Sequence, residues 1–327
     1  MRERSAAMNR AKGMQNAAGA AFGKVILLGE HAVVHGVPAI ACGIELGLRA
    51  DVVSTDTSAS ELVLLAEMRR ATDDDALGRA FAALLAAGSG HPRSPVLARV
   101  SGALPPGMNL GFSAAAAVAL ARALEALRGE VDETAVRARA DAWEAVFHGN
   151  PSGIDVAAAI HGGFVRYRRG ESVRRVLSST PLRICIGMSD SKPGPTKAMV
   201  DSVSALQARH PETFRASLDA IAALVARAES ALERGEVEVL GELMTMNHLV
   251  LAGWMLSTEN IEKLCAAARD AGALGSKLTG AGGGGAMIAL AGAAEDPASI
   301  VIGTRVIDAW RRIGCNGFEV VVGSKRG

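Results

Sequence analysis

LPPGMNLGFSAAAA, residues 104–117, is the stretch on which the reading of this chain turns. It follows an apolar, strand-like run from Pro95 to Val100 and opens an Ala/Val/Leu-rich helix that extends to about Leu127. Pro105 and Pro106 stop a helix or a ladder from continuing, while Gly107 and Gly111 admit backbone angles closed to other residues. Ser113 stands where a helix N-cap would stand, and four alanines, the strongest helix formers, follow it. A loop that runs into a helix start presents unpaired N–H groups at the positive end of a macrodipole, which is a physical site for phosphate. The plain alternative is a tight turn capped by a serine. Other parts of the chain must decide between the two.

The chain has 327 residues, room for one large domain or two modest ones. Hydrophobic residues make up 49%, yet no uninterrupted apolar run approaches the ~20 residues of a membrane span. Lys and Arg total 35 against 34 Asp and Glu, which leaves no general basic surface for nucleic acid. Aromatic residues, at 3%, are too few to build stacking platforms for single strands. The four cysteines (42, 185, 265 and 315) are scattered and form no C-x-x-C pair, which points to reduced thiols in the cytoplasm. Residues 1–20 carry arginines and Met1, Met8 and Met14 but no apolar core of a secretory signal. They read as a disordered leader or an early start.

Strands are expected over 23–28, 45–54, 61–66 and 95–100, with a helix over 74–87. After the helix that follows the Pro-Pro loop comes another, about 132–148, which stops at the turn signals of HGNPSGID (148–155). A hairpin over 162–168 and 172–176 closes this half. Beyond Pro181 the texture changes: a strand at 182–188, helices at about 196–208, 212–234, 236–252 and 257–271, then a strand and the glycine cluster KLTGAGGGGAMIAL (277–290). A helix at 296–312 and a strand at 317–322 finish the chain. Strands and helices alternate without βαβ regularity, so the fold class is α+β in two lobes, 21–180 and 181–327.

Neither a Walker loop nor a dinucleotide fingerprint is present. Lys24 lies in an otherwise apolar strand, which is costly unless it meets an anion, and Glu30 and His31 follow just beyond the strand end. Asp155 precedes an apolar helical run: it reads either as an N-cap or as a carboxylate near Lys24 that takes a proton from a substrate hydroxyl. Glu144 reads either as part of a solvated helix face or as a magnesium ligand. Spacing alone leaves both pairs of readings open.

The set GKVILLGEHAVVHG, LPPGMNLGFSAA, HGNPSGID and KLTGAGGGG, in that order across 23–285, resembles the GHMP small-molecule kinases, and among them the branch that acts on mevalonate. The resemblance implies a two-lobed fold with the active site in the cleft between an N-terminal and a C-terminal lobe. It implies ATP-dependent transfer of phosphate to the C5 hydroxyl of mevalonate, with Mg²⁺, in a cytoplasmic homodimer on the route to isoprenoids. By the same resemblance Asp155 matches the catalytic base and Lys24 the lysine that steadies the transferred group. Pro106, Gly107, Met108, Asn109, Leu110, Gly111, Phe112, Ser113 and Ala114 match the ATP loop, and Ser113 with Glu144 the metal ligands. Glu30, His31, Thr196, Gly280 and Ala281, with Lys24 and Asp155, match substrate-side positions. The loop departs from the family pattern P-x-G-A-G-L-G-S-S-A at Met108, Asn109 and Phe112, the last in place of the first serine. Relatives that act on the 3-hydroxyl of mevalonate or on phosphomevalonate share the scaffold, as would a metabolite sensor without turnover.

Overall fold

The computed structural model describes residues 15–149, 151–189 and 196–323. Most of the leader (1–14), Asn150 of the HGNPSGID turn and the segment 190–195 before Thr196 lie outside the described residues. Two compact units emerge, each drawn from several stretches of chain: one from residues up to 21, 47–103 and 113–151, the other from 22–46, 104–112 and 152 onward.

In the first unit, residues 48–54 of the long strand β2 (Ala39–Ser54) pair antiparallel with 96–102 of β5 (Val96–Gly102). Strand β3 (Glu61–Leu64) lies parallel to β5 and turns back into β4 (Glu67–Arg70). Helices α1 (Ala76–Ala86), α2 (Phe112–Arg128) and α3 (Glu133–His148) complete the unit. Asp75 and Asp132 cap α1 and α3 by accepting from the N–H groups of Gly78 and Thr134. Helix α2 is buried from Ala114 to Ala121, as an all-apolar helix must be. Its one buried charge, Glu125, meets Arg139 of α3 at 2.7 Å. Three of the remaining guanidinium N–H groups of Arg139 donate to the carbonyls of Leu84, Leu85 and Gly90, so the buried charge is held by backbone as well as by Glu125.

The second unit holds the later part of β1 (Asn16–Leu28), the start of β2, α4 (Ile154–His161) and the hairpin β6 (Gly163–Tyr167) and β7 (Arg174–Val176). Residues 39–43 of β2 pair with β6. A core of Ile26, Val33, Ala39, Ala41, Ile154, Ala158 and Val165 seats α4 under this end of β1. An antiparallel sheet follows in the order β11–β8–β10–β9, made of β8 (Leu182–Met188), β9 (Gly275–Leu278), β10 (Ala286–Ala293) and β11 (Asn316–Val322). Helices α5 (Thr196–Arg209), α6 (Pro211–Arg234), α7 (Val237–Gly253), α8 (Glu259–Asp270) and α9 (Pro297–Arg312) fill the rest. Among the described residues no helix is long and apolar enough to cross a membrane.

Three expectations need correction. Strand β1 begins at Asn16 rather than Gly23, so residues 16–20 belong to a strand and not to a leader. Their small side chains hide the strand signal, and Gly19 lies so close to α2 that an added Cβ would sit 2.3 Å from the Ala119 carbonyl. The stretch 61–66 is not one strand, because Leu65 and Ala66 both take positive φ (53° and 64°) and turn the chain into β4. Ser113 is not an N-cap: α2 already includes Phe112, and the serine hydroxyl points to a carboxylate instead.

Candidate active site

Lys24 reaches its place because β1 is buried along its whole second half. The residue is 2% exposed, and its ammonium lies 3.2 Å from Oδ1 of Asp155. Asp155 sits in the first turn of α4, after Gly153 has taken the N-cap position in a left-handed conformation. A carboxylate there is favoured by the helix dipole, and it is not the cap that sequence spacing allowed. About a third of its side chain stays exposed, so one edge of the pair is open to a ligand.

The 104–112 loop is threaded against Lys24. The Lys24 N–H donates to the Leu110 carbonyl at 2.9 Å. Gly111 has φ +77°, and a Cβ there would lie 2.7 Å from Lys24 Cγ, so only glycine allows the loop to close on the lysine stem. Asn109 takes φ 61°, the left-handed angle its short amide tolerates, and its Nδ2 donates to the Gly284 carbonyl at 3.3 Å. The loop is thereby joined to the glycine cluster. Gly280 answers from the other side: a Cβ on it would meet Asn109 Cβ at 2.8 Å.

His31 donates from Nε2 to the Ala281 carbonyl at 2.8 Å; a carbonyl only accepts, so Nε2 carries the proton. Burial lowers this imidazole below the ordinary histidine value, which favours its neutral form. Glu30 is placed differently from its sequence expectation. Its carboxylate is fully buried, one oxygen paired with Lys277 and the other accepting from Asn247 Nδ2 at 3.2 Å. Both of its oxygens are thereby engaged within the protein. Burial raises the Glu30 carboxyl and lowers the Lys277 ammonium, each effect offset in part by the attraction between them. Thr196 opens α5, and its side chain lies outside the description.

In the first unit, Ser113 Oγ donates to Glu144 Oε1 and accepts from Trp143 Nε1 at 3.1 Å. Glu144 is 4% exposed, which removes the solvated-face reading. A carboxylate and a hydroxyl side by side are the hard oxygen donors that Mg²⁺ takes together with phosphate. Among the described residues no group of three or more His, Cys, Asp or Glu forms a metal cage, so an ion here would depend on oxygens from a ligand. Lys277, Asn247, Thr279 and Trp143 were not singled out from sequence. Lys277 lies in a short buried strand, Gly-Ser-Lys-Leu, with no apolar run around it to mark it, and its partner Glu30 is 247 residues away.

Two family models match the chain, GHMP kinases N terminal domain over residues 76–163 and GHMP kinases C terminal over 228–302. The mevalonate kinase of Pyrococcus horikoshii is 35% identical over 292 residues, covering 82% of this chain and 86% of its own. The chain belongs to the GHMP kinase family. The mevalonate kinase of Methanothermobacter thermautotrophicus is 34% identical over 276 residues, covering 81% of this chain and 87% of its own. Among solved structures, L. major mevalonate kinase in complex with R-mevalonate is similar over 95% of this chain and 97% of that one, at 26% identity and a TM-score of 0.79. The α+β GHMP kinase fold expected from the motifs is the fold found, and the protein is an ATP-dependent kinase of this family.

Proposed function

We propose that this kinase transfers the γ-phosphoryl group of ATP to the C5 hydroxyl of mevalonate, giving 5-phosphomevalonate and ADP. The observation that carries the reading is the Lys24–Asp155 pair at 3.2 Å, with the glycine-rich 106–112 loop closed on the same lysine. The bond from the acceptor oxygen to the γ-phosphorus forms as the bond from the β–γ bridging oxygen to that phosphorus breaks. The hydroxyl proton passes to Asp155, and ADP leaves. Lys24 offsets the charge on the transferred group. Positioning and charge neutralisation supply most of the rate.

Backbone amides of the 106–114 stretch hold the phosphates in this reading, and His31 and the 279–285 loop border the acceptor. Ser113 and Glu144 would hold Mg²⁺, which when bound neutralises phosphate charge. Division into lobes at 178–181 rests on the family resemblance; residues from 152 onward form one compact unit across that point, and limited proteolysis there tests the division. The homodimer and the cytoplasmic location are supported by family resemblance, and light scattering in solution tests the first.

A coupled ADP-release assay with mevalonate, phosphomevalonate and galactose tests the assignment. Turnover with mevalonate well above the other two is expected. Release with phosphomevalonate or galactose instead would move the acceptor elsewhere in the family. Thermal stabilisation by ATP without release from any acceptor would make the protein a sensor.

A further inference from the structure

Lys277 sits in β9 between Ser276 and Leu278, all three fully buried. Its ammonium pairs with Glu30 Oε1 and donates to the carbonyls of Leu278 at 2.6 Å and Ile26 at 3.4 Å. The next hydroxyl along, Thr279 Oγ1, accepts from the Ile26 N–H at 2.8 Å and donates to its carbonyl at 3.2 Å. Asn247 joins in, donating to Glu30 Oε2 and accepting from the Gly29 N–H at 3.4 Å. His31 then binds the Ala281 carbonyl. Residues 26–31 and 277–281 are thus clasped by three side chains, Lys277, Thr279 and His31, with Asn247 holding the Glu30 end from α7.

This clasp begins two residues after Lys24, and strand periodicity puts residues 24 and 26 on the same side of β1. Two full charges have been taken out of water to make it. Stability alone does not account for that, since a well-packed apolar pair of similar volume serves as well or better. What the ion pair adds is direction. Apolar contacts can slip, whereas an ammonium with one carboxylate and two carbonyl acceptors has one seat.

We propose that Lys277 is a positioning residue for phosphoryl transfer: through Glu30 and the Ile26 carbonyl it fixes the end of β1, and with it the place of Lys24 relative to the 279–285 loop. The inference rests on the kinase reading given above. Lys277 itself is fully buried, with no surface to offer a ligand. It acts through Lys24 and His31, holding them where Asp155 and the loop require them.

The test replaces the pair together in the full-length chain, as Glu30→Leu/Lys277→Met and, in a second protein, as the polar Glu30→Gln/Lys277→Gln. Melting temperature, kcat and both KM values are compared with the wild type assayed in parallel. The expected result is a folded double variant that melts within a few degrees of wild type, with kcat down about tenfold or more and each KM within about threefold, since a displacement of ~1 Å costs up to 10²-fold. A folded variant with kcat within about twofold of wild type would show the pair to be structural only and overturn the proposal. Failure of both double variants to fold would overturn it too, by making the pair a folding requirement. A wild type without mevalonate turnover would instead remove the kinase reading, which is a separate and visible outcome.

Discussion

Gly111→Ala, set against Gly107→Ala, isolates the contact between the phosphate loop and Lys24. Both glycines hold a left-handed backbone, φ +77° and +73°, so alanine costs each roughly 1–2 kcal/mol of strain. They differ in what a Cβ meets. At 107 nothing lies within 4 Å, whereas at 111 the Cβ would stand 2.7 Å from Lys24 Cγ. Comfortable carbon–carbon contact is ~3.5–4 Å, so the lysine stem must shift by about 1 Å. The stem has little freedom to do so, because Lys24 is 2% exposed and its own N–H is bound to Leu110. The shift must then lengthen the 3.2 Å approach to Asp155. A misplacement of ~1 Å at a reacting group costs up to 10²-fold, so kcat for Gly111→Ala is expected about 30- to 100-fold below that of Gly107→Ala. The assay is coupled ADP release with mevalonate, with melting curves to confirm that both variants are folded at the assay temperature. Equal kcat in the two folded variants would refute the argument, since backbone strain would then explain the whole effect.

Three further outcomes are expected. Phe112→Ser restores a hydroxyl to the loop, and at about 1.5–3 kcal/mol for a hydrogen bond to a charged group it should tighten ATP binding about tenfold or more by calorimetry. Glu144→Gln, which removes the charge beside Ser113, should raise the Mg²⁺ concentration for half-maximal ATP binding about tenfold, read by calorimetry across a magnesium series. Stability should fall as pH drops below about 6.5: burial holds His31, His35 and His248 below the ordinary histidine value, so the unfolded chain takes up protons there that the folded one refuses. His31→Gln, whose amide can still donate to Ala281, should shallow the decline in melting temperature between pH 7.5 and 5.5.

Parts of the candidate site were legible where a residue type breaks its surroundings. A lysine within the apolar run of β1, a Pro-Pro-Gly turn ahead of an alanine helix and an aspartate after Pro-Ser-Gly each stand out from local pattern, and Lys24 and Asp155 prove to be partners. Strand β8 is found at 182–188, as expected, because ICI between two turn signals has no other reading. The start of β1 was hidden because NAAGAA has neither β-branched residues nor alternation. The turn between β3 and β4 escaped because Leu65 and Ala66 carry its positive φ without glycine or asparagine. Other features depend on the fold itself. Nothing local says that Glu30 will be consumed by Lys277, or that Trp143 will orient the Ser113 hydroxyl. Pairings across 30 or 247 residues exist only once the chain has folded.

The most direct measurement is single-turnover phosphoryl transfer by Asp155→Asn, with ATP affinity measured on the same protein. Asparagine keeps the shape beside Lys24 and removes the ability to take a proton. The account predicts transfer slowed by about 10²- to 10⁴-fold, with the ATP dissociation constant within about threefold of wild type. Transfer within tenfold of the wild-type rate would contradict it, for the carboxylate 3.2 Å from the buried lysine would then not be the base.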